Sequence, residues 1–114
     1  MILETTTQTI APDITVVALK GRLTLGNTLS QTEESVKKLI NGGCRKLAID
    51  LAELSFTDSA GLGVLISWHG TMAKAGGKLH IAAVPARIMD LLVMTQVNRV
   101  LSLYPDVAAA TAAF

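Results

Sequence analysis

The side chains in this sequence best suited to chemistry stand together in the run Phe56-Thr57-Asp58-Ser59-Ala60-Gly61-Leu62-Gly63-Val64-Leu65. Asp58 and Ser59 are both strong N-cap formers, so one ordinary use for either is to accept a backbone N–H where a helix begins. The other use leaves a hydroxyl free. A strand end that opens into a helix is where α/β proteins place reactive groups, and the first-turn N–H groups and helix dipole favour an anion there. Gly61 and Gly63 bare the surface, so a second backbone or an active site can come close. Each also weakens a helix by about 1 kcal/mol relative to alanine, a choice that stability alone does not favour.

Familiar catalytic arrangements do not fit this run. A nucleophile elbow needs Gly-x-Ser-x-Gly, and position 57 is threonine. A hydrolase needs a histidine beside Ser59, but His69 lies about three turns further along the same helix and His80 on a neighbouring strand. A dinucleotide fingerprint begun by Gly61 and Gly63 ends at Ile66, and no Lys-Ser/Thr pair follows to make a phosphate loop. No nucleophile, base and orienting group assemble, so no catalytic residue is expected. One cysteine, Cys44, and two histidines are too few for a metal centre or a disulfide framework. No metal or cofactor is expected.

The elements that must position this run fit one domain, 1–114. The chain is 50% hydrophobic with a formal net charge of +1, which excludes a disordered tail and a basic nucleic-acid-binding face. Aromatic content of 4% gives little on which bases could stack. The first residues lack the basic segment of a signal peptide, and no apolar run approaches the ~20 residues of a membrane span. The expected compartment is the cytosol.

Residues 4–10 and 15–23 predict an antiparallel hairpin across Ala11-Pro12-Asp13. Helix 1 follows, with a capping box at Ser30-x-x-Glu33, a stripe of Val36, Leu39 and Ile40, and a stop at Gly42-Gly43. Residues 46–52 and 78–84 read as strands covered on both faces. Between them, residues 61–75 read as helix 2. A third helix follows Pro85, with Ile88, Leu91, Leu92 and Thr95 on its core face. A short strand at 101–104 and an alanine-rich terminal helix complete the chain. The expected fold is α/β: a mixed, mostly parallel sheet opened by an antiparallel hairpin, with helices packed against it.

Asp58-Ser59-Ala60-Gly61-Leu62-Gly63, after the apolar strand 47–51, resembles the signature of the STAS domains that act as bacterial anti-sigma factor antagonists. The resemblance runs through nearly the whole chain, including Gly21-Arg22-Leu23, Gly42-Gly43, Gly76-Gly77-Lys78-Leu79 and the terminal helix. It implies that Ser59 accepts phosphate from a partner serine kinase that is also the anti-sigma factor. The unphosphorylated form binds that partner, the phosphorylated form lets go, and a phosphatase restores it. Where many members carry aspartate in a Gly-x-[Ile/Leu/Val]-Asp pattern that contributes to the partner surface, this chain has Thr24. The alternative of a different class is an unphosphorylated scaffold or accessory subunit of a larger complex.

The residues expected to meet the partner are Thr24, Asp58, Ser59, Gly61, Gly63, Ser67 and Trp68. On helix 2, Leu62, Leu65, Ile66, His69, Met72 and Ala73 are assigned to the core stripe, and Gly63, Ser67, Gly70, Thr71 and Lys74 to a small polar face flanked by Val64 and Trp68. The ordinary place for Trp68 is the core; the sharper alternative is a partly exposed anchor for a partner. A phosphate on Ser59 adds about −1.5 to −2 charges beside Asp58, which repels a partner fitted to a neutral hydroxyl while leaving the fold unchanged.

Overall fold

The computed structural model describes residues 3–114. The first two residues of the expected domain 1–114 lie outside the described residues. The chain forms β1 (Glu4–Ala11), β2 (Ile14–Leu23), α1 (Asn27–Asn41), β3 (Lys46–Asp50), β4 (Leu54–Thr57), α2 (Ser59–Lys74), β5 (Lys78–Ala82), α3 (Ala86–Met94), a 3-10 turn (Val97–Arg99), β6 (Ser102–Tyr104) and α4 (Val107–Ala112). The six-stranded sheet runs β1-β2-β3-β5-β6, with β4 joined to β2. β1 and β2 are antiparallel, and every other pairing is parallel. The expected mixed α/β architecture is the one observed.

Strand alternation sorts the two faces by size. Val17, Leu19, Leu47, Ile49, Leu79 and Ile81 point to the face that packs with residues of α1, α2 and α3. Val16, Ala48 and Ala82 point to the other, where Ala110 of α4 joins them with Val107, Tyr104 and Phe114. Small side chains on both sides let the short alanine-rich helix lie close to the sheet. Met89 packs on the larger core, and Val93 is exposed.

β2 changes partner along its length. Thr15 to Ala18 pair with β3, and Gly21 to Leu23 pair with β4. The register shifts at Gly21, whose φ of +103° suits a residue without a Cβ. β4 was not expected as a strand. It has four residues, and Ser55 and Phe56 in its middle are both exposed, so it shows neither a buried run nor alternation. It delivers the chain from β3 directly to Asp58.

Helix starts also differ from expectation. α1 begins at Asn27 after Gly26 with no side-chain cap, and Ser30 Oγ donates instead to the Gly26 carbonyl at 3.4 Å. α2 begins at Ser59, two residues before the expected Gly61. On α3, Ile88 and Leu92 are buried as expected, while Thr95 is exposed and donates through Oγ1 to the Leu91 carbonyl at 2.8 Å.

Candidate functional site

The strand-to-helix junction is built from three segments tied by backbone groups. The Leu23 carbonyl at the end of β2 accepts from Thr57 Oγ1 at 3.0 Å and from the Asp58 N–H at 3.3 Å. Asp58 is the N-cap of α2, and its Oδ1 accepts from the Gly61 N–H at 2.9 Å. Its Oδ2 accepts from the Leu25 N–H at 3.0 Å, which clasps the loop between β2 and α1 against the start of α2. The Leu25 and Gly61 N–H groups hold the Asp58 carboxyl below its ordinary value, so it stays ionised.

With Asp58 serving as cap, Ser59 is released from that task. It occupies the first helical position and is exposed. Its hydroxyl has no hydrogen-bond partner among the described residues. The positive end of the helix dipole lies beside it. Ser59 has no histidine base positioned with it. His69 sits about 15 Å further along the helix axis, and both histidines line a cleft with Lys78, where β5 begins.

The exposed face of α2 continues from Ser59. A Cβ built on Gly63 would meet nothing within 4 Å, so Gly63 is open surface. Ser67, one turn on, is half-buried. Thr24 is half-buried next to Leu25, so the clasp brings its loop to the same surface.

Two expected contact residues do not belong to this surface. A Cβ on Gly61 would collide with the Leu23 carbonyl and Thr57 Oγ1, so its bareness serves packing where α2 crosses the ends of β2 and β4. Trp68 is 0% exposed, and its Nε1 donates to the Glu33 carbonyl of α1 at 3.4 Å. The partly exposed anchor is therefore corrected to a core indole that joins two helices. The whole stripe is rotated: Gly61, Leu62, Val64, Leu65, Trp68 and Met72 are buried, while Ile66 and Ala73 face outward and His69 is half-buried.

Three apolar side chains that the sequence reading did not place on this surface are found near it. Leu25 is 80% exposed, Phe56 40% and Ile66 37%. The Arg22 guanidinium covers the Phe56 ring at 4.6 Å from its centroid. Ile66 lies two turns from Ser59, on the side shared with Gly63. The exposed surface is thus apolar around a free hydroxyl, with one fixed carboxylate beside it.

A sequence model for the STAS domain matches residues 6–110. An anti-sigma factor antagonist from Mycobacterium paratuberculosis superposes with a TM-score of 0.84 at 20% identity, over 98% of this chain and 93% of that one. The Bacillus cell fate determinant SpoIIAA, in its phosphorylated form, gives 0.76 at 14% identity, over 97% and 100% of the two chains. The STAS domain of a SulP transporter from Vibrio cholerae gives 0.68 at 20% identity, over 92% and 84%. The same fold thus occurs in an anti-sigma factor antagonist and in a transporter domain. Among the described residues no helix is long and apolar enough to cross a membrane.

Proposed function

The chain belongs to the STAS domain family, and from that premise we propose that it is an anti-sigma factor antagonist, a non-enzymatic regulator gated by phosphorylation of Ser59. In its unphosphorylated form it binds an anti-sigma factor that is also a serine kinase. Phosphorylated, it is released, and a phosphatase returns it to the binding form. It works in the cytosol.

The observation that carries this reading is the division of labour at the junction: Asp58 caps α2, and the Ser59 hydroxyl stands exposed. Leu25, Gly63 and Ile66 give a partner apolar, sterically open contact around that hydroxyl. Transfer of a phosphoryl group to Ser59 Oγ places a dianion next to a carboxylate that is already ionised. The helix end tolerates it in the free protein. A partner packed on the neutral surface meets desolvation and like-charge repulsion, and each 1.4 kcal/mol is about tenfold in affinity. The partner surface proposed here is Thr24, Leu25, Asp58, Ser59, Gly63, Ile66 and Ser67.

The test is to incubate the chain with ATP and the serine kinases of histidine-kinase-like fold from its own cell, then map any added phosphoryl group and measure kinase binding before and after. Addition at Ser59 with loss of binding is expected. The likeness to the SulP transporter domain supports one other reading, an unphosphorylated scaffold or accessory subunit. Absence of modification with every such kinase, together with co-purification in a larger assembly, would favour it.

A further inference from the structure

We propose a second site, independent of Ser59, that binds a phosphate group at the opposite end of the sheet. Ser59 follows a strand end, whereas Lys78 opens β5, so the two lie at opposite ends of the parallel strands. There a cleft of about 330 Å³ is lined by His69, Lys78, His80, Ser102 and Tyr104 among others. No carboxylate lines it. Lys78 is exposed and has no ion-pair partner among the described residues.

The two histidines define the chemistry. Among the described residues, His69 Nδ1 is the one buried side-chain nitrogen or oxygen without a hydrogen-bond partner. A proton on that atom would be a buried, unsatisfied donor, which is costlier than an unused lone pair. The proton of the neutral ring therefore sits on Nε2, which makes Nε2 the donor of this half-buried side chain. His80 is the reverse. Its Nδ1 lies 2.8 Å from the Ala110 carbonyl, which can only accept, so Nδ1 carries the proton and Nε2 of the neutral ring is an acceptor. His80 is 5% exposed, stacked on Phe114 at 4.0 Å between ring centroids and flanked by Tyr104 at 4.5 Å, so its orientation is set before any ligand arrives.

The cleft therefore offers a cation, an N–H donor, two hydroxyls and one fixed acceptor. A phosphate group that still carries one proton matches all of them. Its oxygens accept from Lys78, His69, Ser102 and Tyr104, and its O–H donates to His80. A carboxylate or a sulfate lacks that proton at neutral pH. Free inorganic phosphate keeps that proton at neutral pH, whereas a phosphomonoester, with a second pKa near ~6, has mostly lost it.

The experiment titrates inorganic phosphate into the isotope-labelled full chain at neutral pH and constant ionic strength, read by two-dimensional amide NMR. Saturable shifts confined to residues around 69, 78–80 and 102–104 are expected. Glycerol phosphate in a parallel arm separates the monoester source from the free ion, and at neutral pH it should bind more weakly than inorganic phosphate, with the gap closing toward pH ~6. Sulfate is expected to bind at least about tenfold more weakly. Lys78→Gln, at an exposed position, should weaken phosphate about tenfold, and His69→Phe should weaken it without loss of the folded spectrum. Shifts that stay linear or spread over surface lysines, an unchanged titration in Lys78→Gln, or equal affinity for sulfate would each overturn the proposal.

Discussion

With both carboxylate oxygens of Asp58 accepting backbone N–H groups, from Leu25 and from Gly61, the neighbouring Ser59 hydroxyl is exposed and without a hydrogen-bond partner among the described residues. Ser59→Ala should therefore fold as the parent does and hold the partner kinase whether or not ATP is present. Pull-down with and without ATP checks this, and loss of binding would count against an interface fitted to a neutral hydroxyl. Asp58→Ala removes the cap and the clasp together. We expect a loss of about 1 kcal/mol from the cap alone, with faster amide exchange at Leu25, measured by denaturant melts and hydrogen exchange. The pH dependence follows the same bonds. Because the Asp58 carboxyl is lowered in the folded protein, its contribution is present above the ordinary carboxylate range near ~4 and is lost as pH falls through the folded value. Leu25 amide protection should fall over that acid range and stay flat above it.

At the scale of elements, α2 carries two glycines with opposite duties. Gly61→Ala drives a methyl into the Leu23 carbonyl and Thr57 Oγ1, and should destabilise by about 1–3 kcal/mol. Gly63→Glu meets open space and should leave stability within about 0.5 kcal/mol while abolishing partner binding. Thermal melts paired with binding isotherms separate the two, and the reverse pattern would place Gly63 in packing. Only one of these duties was legible beforehand. Asp58, Ser59 and Gly63 announce themselves by type and spacing, but the phase of α2 does not. Leu62, Val64, Leu65, Ile66 and Trp68 make the helix apolar round most of its circumference, so periodicity cannot tell Trp68 inside from Ile66 outside. β3 and β5 were readable because runs such as Leu47-Ala48-Ile49 are buried on both faces. β4 was not, because its two central side chains face solvent. The capping box at Ser30 misled for another reason: the turn at Gly26, with its φ of +156°, starts α1 before Ser30 can cap it.

For the whole molecule, the sheet separates a large core under α1, α2 and α3 from a small one under α4. Trp68, the largest fully buried side chain, links α1 and α2 within the larger core. Trp68→Ala should cost about 3–5 kcal/mol. It should weaken partner binding only in proportion to the unfolded fraction, a result that an exposed anchor would not give. If Ser59 is phosphorylated as proposed, a frame held this way should keep its fold while the surface charge changes. The most direct test is mass spectrometry and partner binding on the same sample, after incubation with the kinase and ATP. The account predicts one phosphoryl group, located on Ser59, and release of the partner in step with its appearance. Modification at another residue, or a Ser59-phosphorylated chain that still holds its partner, would contradict it.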